Sequence, residues 1–79
     1  LTALGNITTL VNLERLYLGD NQLSDVSGIE NCTKLAYLDL HKNKLTDVSP
    51  LAELENLEFV DLFDNDVSDF TPLSWWRVK

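Results

Sequence analysis

The sequence predicts an α/β-type solenoid, with a short parallel β-sheet on the concave side and extended or 3-10 segments on the convex side. Three observations carry that prediction. The chain repeats itself with starts at Asn12, Lys34 and Asn56, 22 residues apart. Each repeat opens on a short run of alternating apolar residues, and an asparagine follows at one fixed place. Self-similarity at such a period marks stacked supersecondary units that bury a core only against one another.

The register holds position by position. Leu16, Leu38 and Val60 align, then Leu18, Leu40 and Leu62, then Asn21, Asn43 and Asn65. Leu23, Leu45 and Val67 follow, and after them Val26, Val48 and Phe70, Ile29, Leu51 and Leu73, and finally Cys32, Leu54 and Trp76. Leu1, Leu4, Ile7 and Leu10 continue the last four rows backwards, so a partial repeat over 1–11 precedes repeats 12–33, 34–55 and 56–79. The whole chain, 1–79, reads as one domain. Leu1 falls partway through a repeat, which reads as a fragment of a longer repeat protein.

Each element has its own justification. In Leu16-Tyr17-Leu18 the apolar period is two, which sends the leucines inward and the tyrosine outward as in a strand. Successive coils then lay these strands side by side in parallel. The asparagine turns the chain, because its amide can donate to and accept from backbone groups of its own and neighbouring coils. Apolar residues three apart at Leu23, Val26 and Ile29 suit a 3-10-like return path. Pro50 and Pro72 argue against regular α-helix there. Asp25-Val26-Ser27, Asp47-Val48-Ser49 and Asp69-Phe70-Thr71 form a second ladder, read as turn caps because short Asp and Ser/Thr side chains take up exposed N–H groups. Three stacked aspartates also suggest a cation, but each coil supplies too few oxygens. Trp76 takes a core slot and Trp75 an exposed one; the pair is expected to shield the open end of the stack, with a partner contact as the other reading for Trp75.

The pattern L-x-x-L-x-L-x-x-N-x-L is that of leucine-rich repeats. The ending Asn43-Lys44-Leu45-Thr46-Asp47-Val48-Ser49-Pro50-Leu51, with Asn65 to Leu73 close behind and Asn21 to Ile29 differing in Gly28, resembles the internalin class of bacterial leucine-rich repeats. That resemblance implies a curved solenoid that binds protein partners through its concave face, and a secreted or cell-surface setting. A cytoplasmic one stays open. A similar 22-residue repeat occurs in a eukaryotic regulatory subunit of protein phosphatase 1, so an intracellular regulatory scaffold is an alternative. A structural spacer that contacts no ligand is another.

Composition narrows the partners. Thirteen acidic against six basic residues give a net charge of −7. A surface of that sign repels phosphate backbones, which excludes nucleic acid as a natural partner. No apolar run nears the roughly 18 residues that span a bilayer, so no membrane insertion is expected. The single Cys32 allows no internal disulfide and no Cys-based metal site. No cofactor and no metal are expected, and no enzyme: there is no nucleophile–base pair or phosphate loop. The sequons at Asn6 and Asn31 match by chance as readily as by design. A 79-residue chain is also expected to be only marginally stable alone, and to self-associate through the ends of its stack.

The outward strand residues fall into strips. The first is Arg15, Tyr37 and Phe59; the second Tyr17, Asp39 and Asp61; the third Gly19, His41 and Phe63. Arg15, Tyr17, Tyr37, Asp39, His41, Phe59, Asp61 and Phe63 are the candidate partner-binding residues. Aromatic side chains and arginine supply most hot-spot contacts, and the carboxylates favour a basic neighbour. The aromatics also have a bland reading, as mere cover for the sheet, and Phe63 as part of a terminal cap. Asp20, Lys42 and Asp64 read as a screened surface ion ladder.

Overall fold

The computed structural model describes residues 4–5 and 10–73. Expectations for Leu1, Ile7, Trp75 and Trp76, and for the sequon at Asn6, lie outside them. Three strands, β1 (Arg15–Tyr17), β2 (Tyr37–Asp39) and β3 (Phe59–Asp61), form one parallel sheet in the order β1-β2-β3. The register pairs Arg15 with Tyr37 and Phe59, and Tyr17 with Asp39 and Asp61. Every step is one period, so the strips expected from the sequence are rows of the sheet. Backbone bonds continue the ladder past the strand ends, from Ala36 N–H to Glu14 O and from Lys42 N–H to Phe63 O, both 2.8 Å.

The return path is 3-10, at Ile29–Asn31, Ser49–Leu51 and Thr71–Leu73, and the described residues contain no α-helix. One bond is common to all three coils: Ile29, Leu51 and Leu73 each donate to the carbonyl three residues back, on Val26, Val48 and Phe70. The first 3-10 turn nevertheless begins two residues later in its repeat than the others. Pro50 and Pro72 sit inside the second and third turns, where the ring's fixed φ suits the bend. Their counterpart Gly28 has φ 100°, which proline cannot adopt and other L-residues rarely do.

Inside, the stack is apolar. Leu23, Val26, Ile29 and Cys32 of the first repeat are sealed, as are Leu35, Leu38, Leu40, Leu45, Val48, Leu51 and Leu54 of the second. Burial holds the proton on the Cys32 thiol, pushing its pKa up. Two core assignments from the repeat alignment need correction. Leu10 aligns with Cys32, and Phe70 with Val26 and Val48, yet each is 50% exposed. Each stands in an outer coil, where a described neighbour packs on one side only.

The asparagines do what the repeat requires. Asn43 is buried; its Oδ1 accepts from Leu23 N–H at 3.0 Å, and its Nδ2 donates to the carbonyls of Leu18, Leu40 and His41. Asn65 repeats the pattern one coil on, accepting from Leu45 N–H and donating to Leu40 O and Leu62 O. Each amide thus ties two coils together at a turn that would otherwise leave backbone groups stranded. The residue before each turn is left-handed: Asp20, Lys42 and Asp64 have φ of 59°, 56° and 62°. The expected ion ladder gives way to this backbone feature, since no ion pair reaches Lys42 among the described residues. On the convex edge Asp25, Asp47 and Asp69 accept from the N–H two residues ahead, as expected of caps.

A concave aromatic and carboxylate face

β1, β2 and β3 present their outward side chains together because parallel strands in register stand only about 4.8 Å apart. In the first strip the Arg15 guanidinium carbon lies 4.4 Å from the centroid of the Tyr37 ring. Tyr37 in turn meets Phe59 with ring centroids 6.5 Å apart and planes tilted by 31°. A cation over an aromatic face is attracted by the ring's quadrupole, by about 0.5–1 kcal/mol where exposed. The three side chains form one continuous stack across the sheet. Tyr17, Phe59 and Phe63 are exposed at 58%, 44% and 72%. Phe63 is thus exposed on this face, while its reading as part of a cap beneath the carboxy-terminal segment involves residues outside the described ones.

The second and third strips meet in a polar cluster. Asp39 Oδ1 accepts from the backbone N–H of His41 at 3.1 Å, and lies 2.5 Å from His41 Nδ1. Asp61 repeats the first of these contacts, its Oδ1 accepting from Phe63 N–H at 3.0 Å. The aspartates thus cap the strand's end while staying on the concave face. Burial pushes the Asp39 pKa up, but the hydrogen bond from the His41 ring and the His41 N–H outweigh it, and the net shift is downward. The same contact raises the pKa of His41, against a smaller opposing effect of desolvation. One ligating atom from each of Asp39, His41 and Asp61 can be chosen so that all lie within 4.8 Å of one another.

The His41 ring owes its place to a glycine on the neighbouring coil. A Cβ built on Gly19 would overlap Cε1 and Nδ1 of the ring, so the ring lies where a side chain at 19 would stand. Of the eight candidate residues, Arg15, Tyr37 and Phe59 join in the stack, and Asp39, His41 and Asp61 in the cluster. Tyr17 and Phe63 flank them. His41 was expected on this face as a candidate partner-binding residue, but its pairing with Asp39 was not expected. The legible signal was Asp-x-His at alternating strand positions with a second aspartate one period on. Cys32 takes no part in the cluster, being sealed in the core.

The likeness to known proteins agrees with this architecture. The family model for leucine-rich repeats, in two copies, matches residues 11–53 and again 33–75. Internalin C2 from Listeria monocytogenes is 41% identical, with a TM-score of 0.85 over 92% of this chain and 32% of its own. An internalin of the same organism, InlF, is 40% identical, with a TM-score of 0.91 over 92% of this chain and 22% of its own. The chain therefore spans about a third or less of either protein. Comparison with curated proteins finds no match. No helix among the described residues is long and apolar enough to cross a membrane. Proteins of this kind serve in protein–protein interaction and are typically not enzymes. The chain belongs to the leucine-rich repeat family, and its repeats are internalin-like.

Proposed function

We propose that the concave face is a docking surface for a protein partner, contacted through Arg15, Tyr17, Tyr37, Asp39, His41, Phe59, Asp61 and Phe63. One observation carries the reading: the exposed aromatics Tyr17, Phe59 and Phe63 and the Arg15–Tyr37–Phe59 stack share this one face, with Phe70 the other exposed aromatic among the described residues. An exposed apolar strip with a polar rim is what a hot-spot cluster needs. The carboxylates beside it, with the net charge of −7, favour a basic or apolar surface opposite. The similarity to Listeria internalins supports a secreted or cell-surface setting for the parent, with these 79 residues as one segment of its repeat array.

The test compares this chain with a triple variant, Tyr37→Ala, Phe59→Ala and Phe63→Ala, against a partner first selected with the unaltered protein. All three side chains stand on the outer face, so the variant is expected to keep its circular dichroism and lose binding at least about a hundredfold, as when several hot-spot residues are truncated together. Binding that survives in a folded variant overturns the reading in favour of a spacer. Sedimentation equilibrium of both proteins adds a check. A dimer that ignores the triple change assigns self-association to the ends of the stack.

A further inference from the structure

We infer that Asp39, His41 and Asp61 form a binding site for a divalent transition-metal ion, with a donor set suited to zinc. The site is independent of any protein partner. Its basis is placement. Asp39 and Asp61 are register partners on adjacent strands, and His41 follows Asp39 by two residues, on the same face. One ligating atom from each lies within 4.8 Å of the other two. Donors around a single tetrahedral zinc, with bonds near 2.0–2.2 Å, stand about 3.3 Å apart. Small side-chain rotations on an open face bridge that difference.

Two further features suit the site to a metal. The first is the gap at Gly19, which the His41 ring occupies, so that the imidazole is positioned by a neighbouring coil as well as by its own backbone. The second is the way the carboxylates are anchored. Each accepts a backbone N–H through Oδ1, at 3.1 Å for Asp39 and 3.0 Å for Asp61, which fixes the carboxylate while its other oxygen remains for a cation. The proton now held between Asp39 and the His41 ring must leave Nδ1 for that nitrogen to take a metal. One imidazole nitrogen with two carboxylate oxygens suits zinc and copper, whereas calcium and magnesium take six or more oxygens and no imidazole. The −7 charge of the chain draws a cation to the face. Three protein ligands leave a fourth position open, as in sites that exchange water for another group.

Isothermal titration of the whole chain with zinc chloride, and in parallel with calcium chloride, tests this. Zinc is expected to bind at one ion per chain and calcium at least about tenfold more weakly, a difference of about 1.4 kcal/mol. Asp61→Asn retains an oxygen for Phe63 N–H, and His41→Gln retains a donor for Asp39, so each is expected to fold. Each should weaken zinc by about tenfold or more. In nitrogen-15 spectra, zinc should shift the ring nitrogens of His41, the only histidine in the chain. Should His41→Gln unfold, Asp61→Asn and the ring signals still decide. Equal affinity for calcium, zinc binding undiminished in either folded variant, silent His41 nitrogens, or no binding at millimolar zinc would each overturn the assignment.

Discussion

The second coil and the coils either side of it carry nearly the same residues at the same places, yet they differ sharply in burial. Leu38 and Leu40 are fully buried, whereas their counterparts Leu16 and Leu18 in the first repeat, and Val60 and Leu62 in the third, are half-buried. Val48 is sealed while Phe70 is half exposed. Nothing in the side chains accounts for this. A coil in a solenoid receives its core from its neighbours, so a leucine's contribution depends on whether a coil stands on both sides of it. The second repeat is what a coil becomes inside a long stack. In the first coil only the strand side stays half-buried, since Leu23, Val26, Ile29 and Cys32 of the same repeat are sealed.

The largest expected effect breaks that contrast directly. Leu38→Ala should cost about 4 kcal/mol, near the upper part of the range for a leucine cavity in a packed core. Leu16→Ala, at the equivalent place, should cost about half as much because its cavity opens towards solvent. Urea unfolding with an unchanged slope measures both. Equal losses would mean that the first coil is packed as well as the second, and that its exposure carries no energetic meaning.

The asparagines sharpen the comparison next. Asn43 bonds across to Leu18 and Leu23 of the preceding coil as well as within its own. Among the described residues the side-chain bonds of Asn21 run to Leu18 O and Gly19 O of its own coil. Asn43→Ala strands the buried Leu23 N–H and takes one of two donors from each of the carbonyls of Leu18, Leu40 and His41. It should cost about 2 kcal/mol, an unsatisfied buried group being worth roughly 1–3 kcal/mol. Asn21→Ala should cost about 1 kcal/mol, the net worth of an ordinary hydrogen bond. Comparing thermal midpoints of the two variants separates a turn device from a tie between coils.

How much of this was legible in sequence follows from the range of each interaction. The strand rows were readable because period and register are arithmetic: Arg15, Tyr37 and Phe59 must share a row once the repeat is 22 residues. The asparagine ladder was readable because an amide is the side chain that both donates and accepts at a buried turn. The left-handed backbone at Lys42 was not, since lysine has no preference for that region and the turn imposes it. The Asp39-Leu40-His41 spacing was readable, but the placing of the His41 ring was not, since it rests on an absent Cβ at Gly19, one coil away. The exposure of Leu10 and Phe70 was hidden for the same reason: it belongs to their neighbours rather than to them.

Gly28 distinguishes the first coil from the others by backbone alone, and the expected effect is smaller. With φ at 100°, Gly28→Ala forces an L-residue into a conformation that costs roughly 1–2 kcal/mol. Pro50→Ala, at the equivalent place in the second coil, meets no such φ and should cost less than about 1 kcal/mol, chiefly by loosening the unfolded chain. Chemical denaturation of the two variants checks the order, and a reversal would show that the first return path shifts to follow the other two.

The smallest effect concerns the caps, where the contrast between coils should vanish because the interaction is local. Asp25 in the first repeat and Asp69 in the third both titrate below the usual 3.8, although their coils differ in burial. For Asp25 the Ser27 hydroxyl, bonded at 2.6 Å, is the larger cause and the Ser27 N–H the smaller. For Asp69 the order reverses: the Thr71 N–H leads and the hydroxyl, at 2.8 Å, follows. A carboxyl whose pKa is lower folded than unfolded adds stability that is present above the unfolded value and is lost as pH falls through the folded one. Both caps should therefore weaken on acidification below 3.8, with no change at neutral pH. Side-chain carboxyl titration by NMR should place both midpoints below that value. Ser27→Ala should raise the Asp25 midpoint further than Thr71→Val raises that of Asp69, because it removes the larger cause in one cap and the smaller in the other. Equal rises would show that the backbone N–H governs both caps.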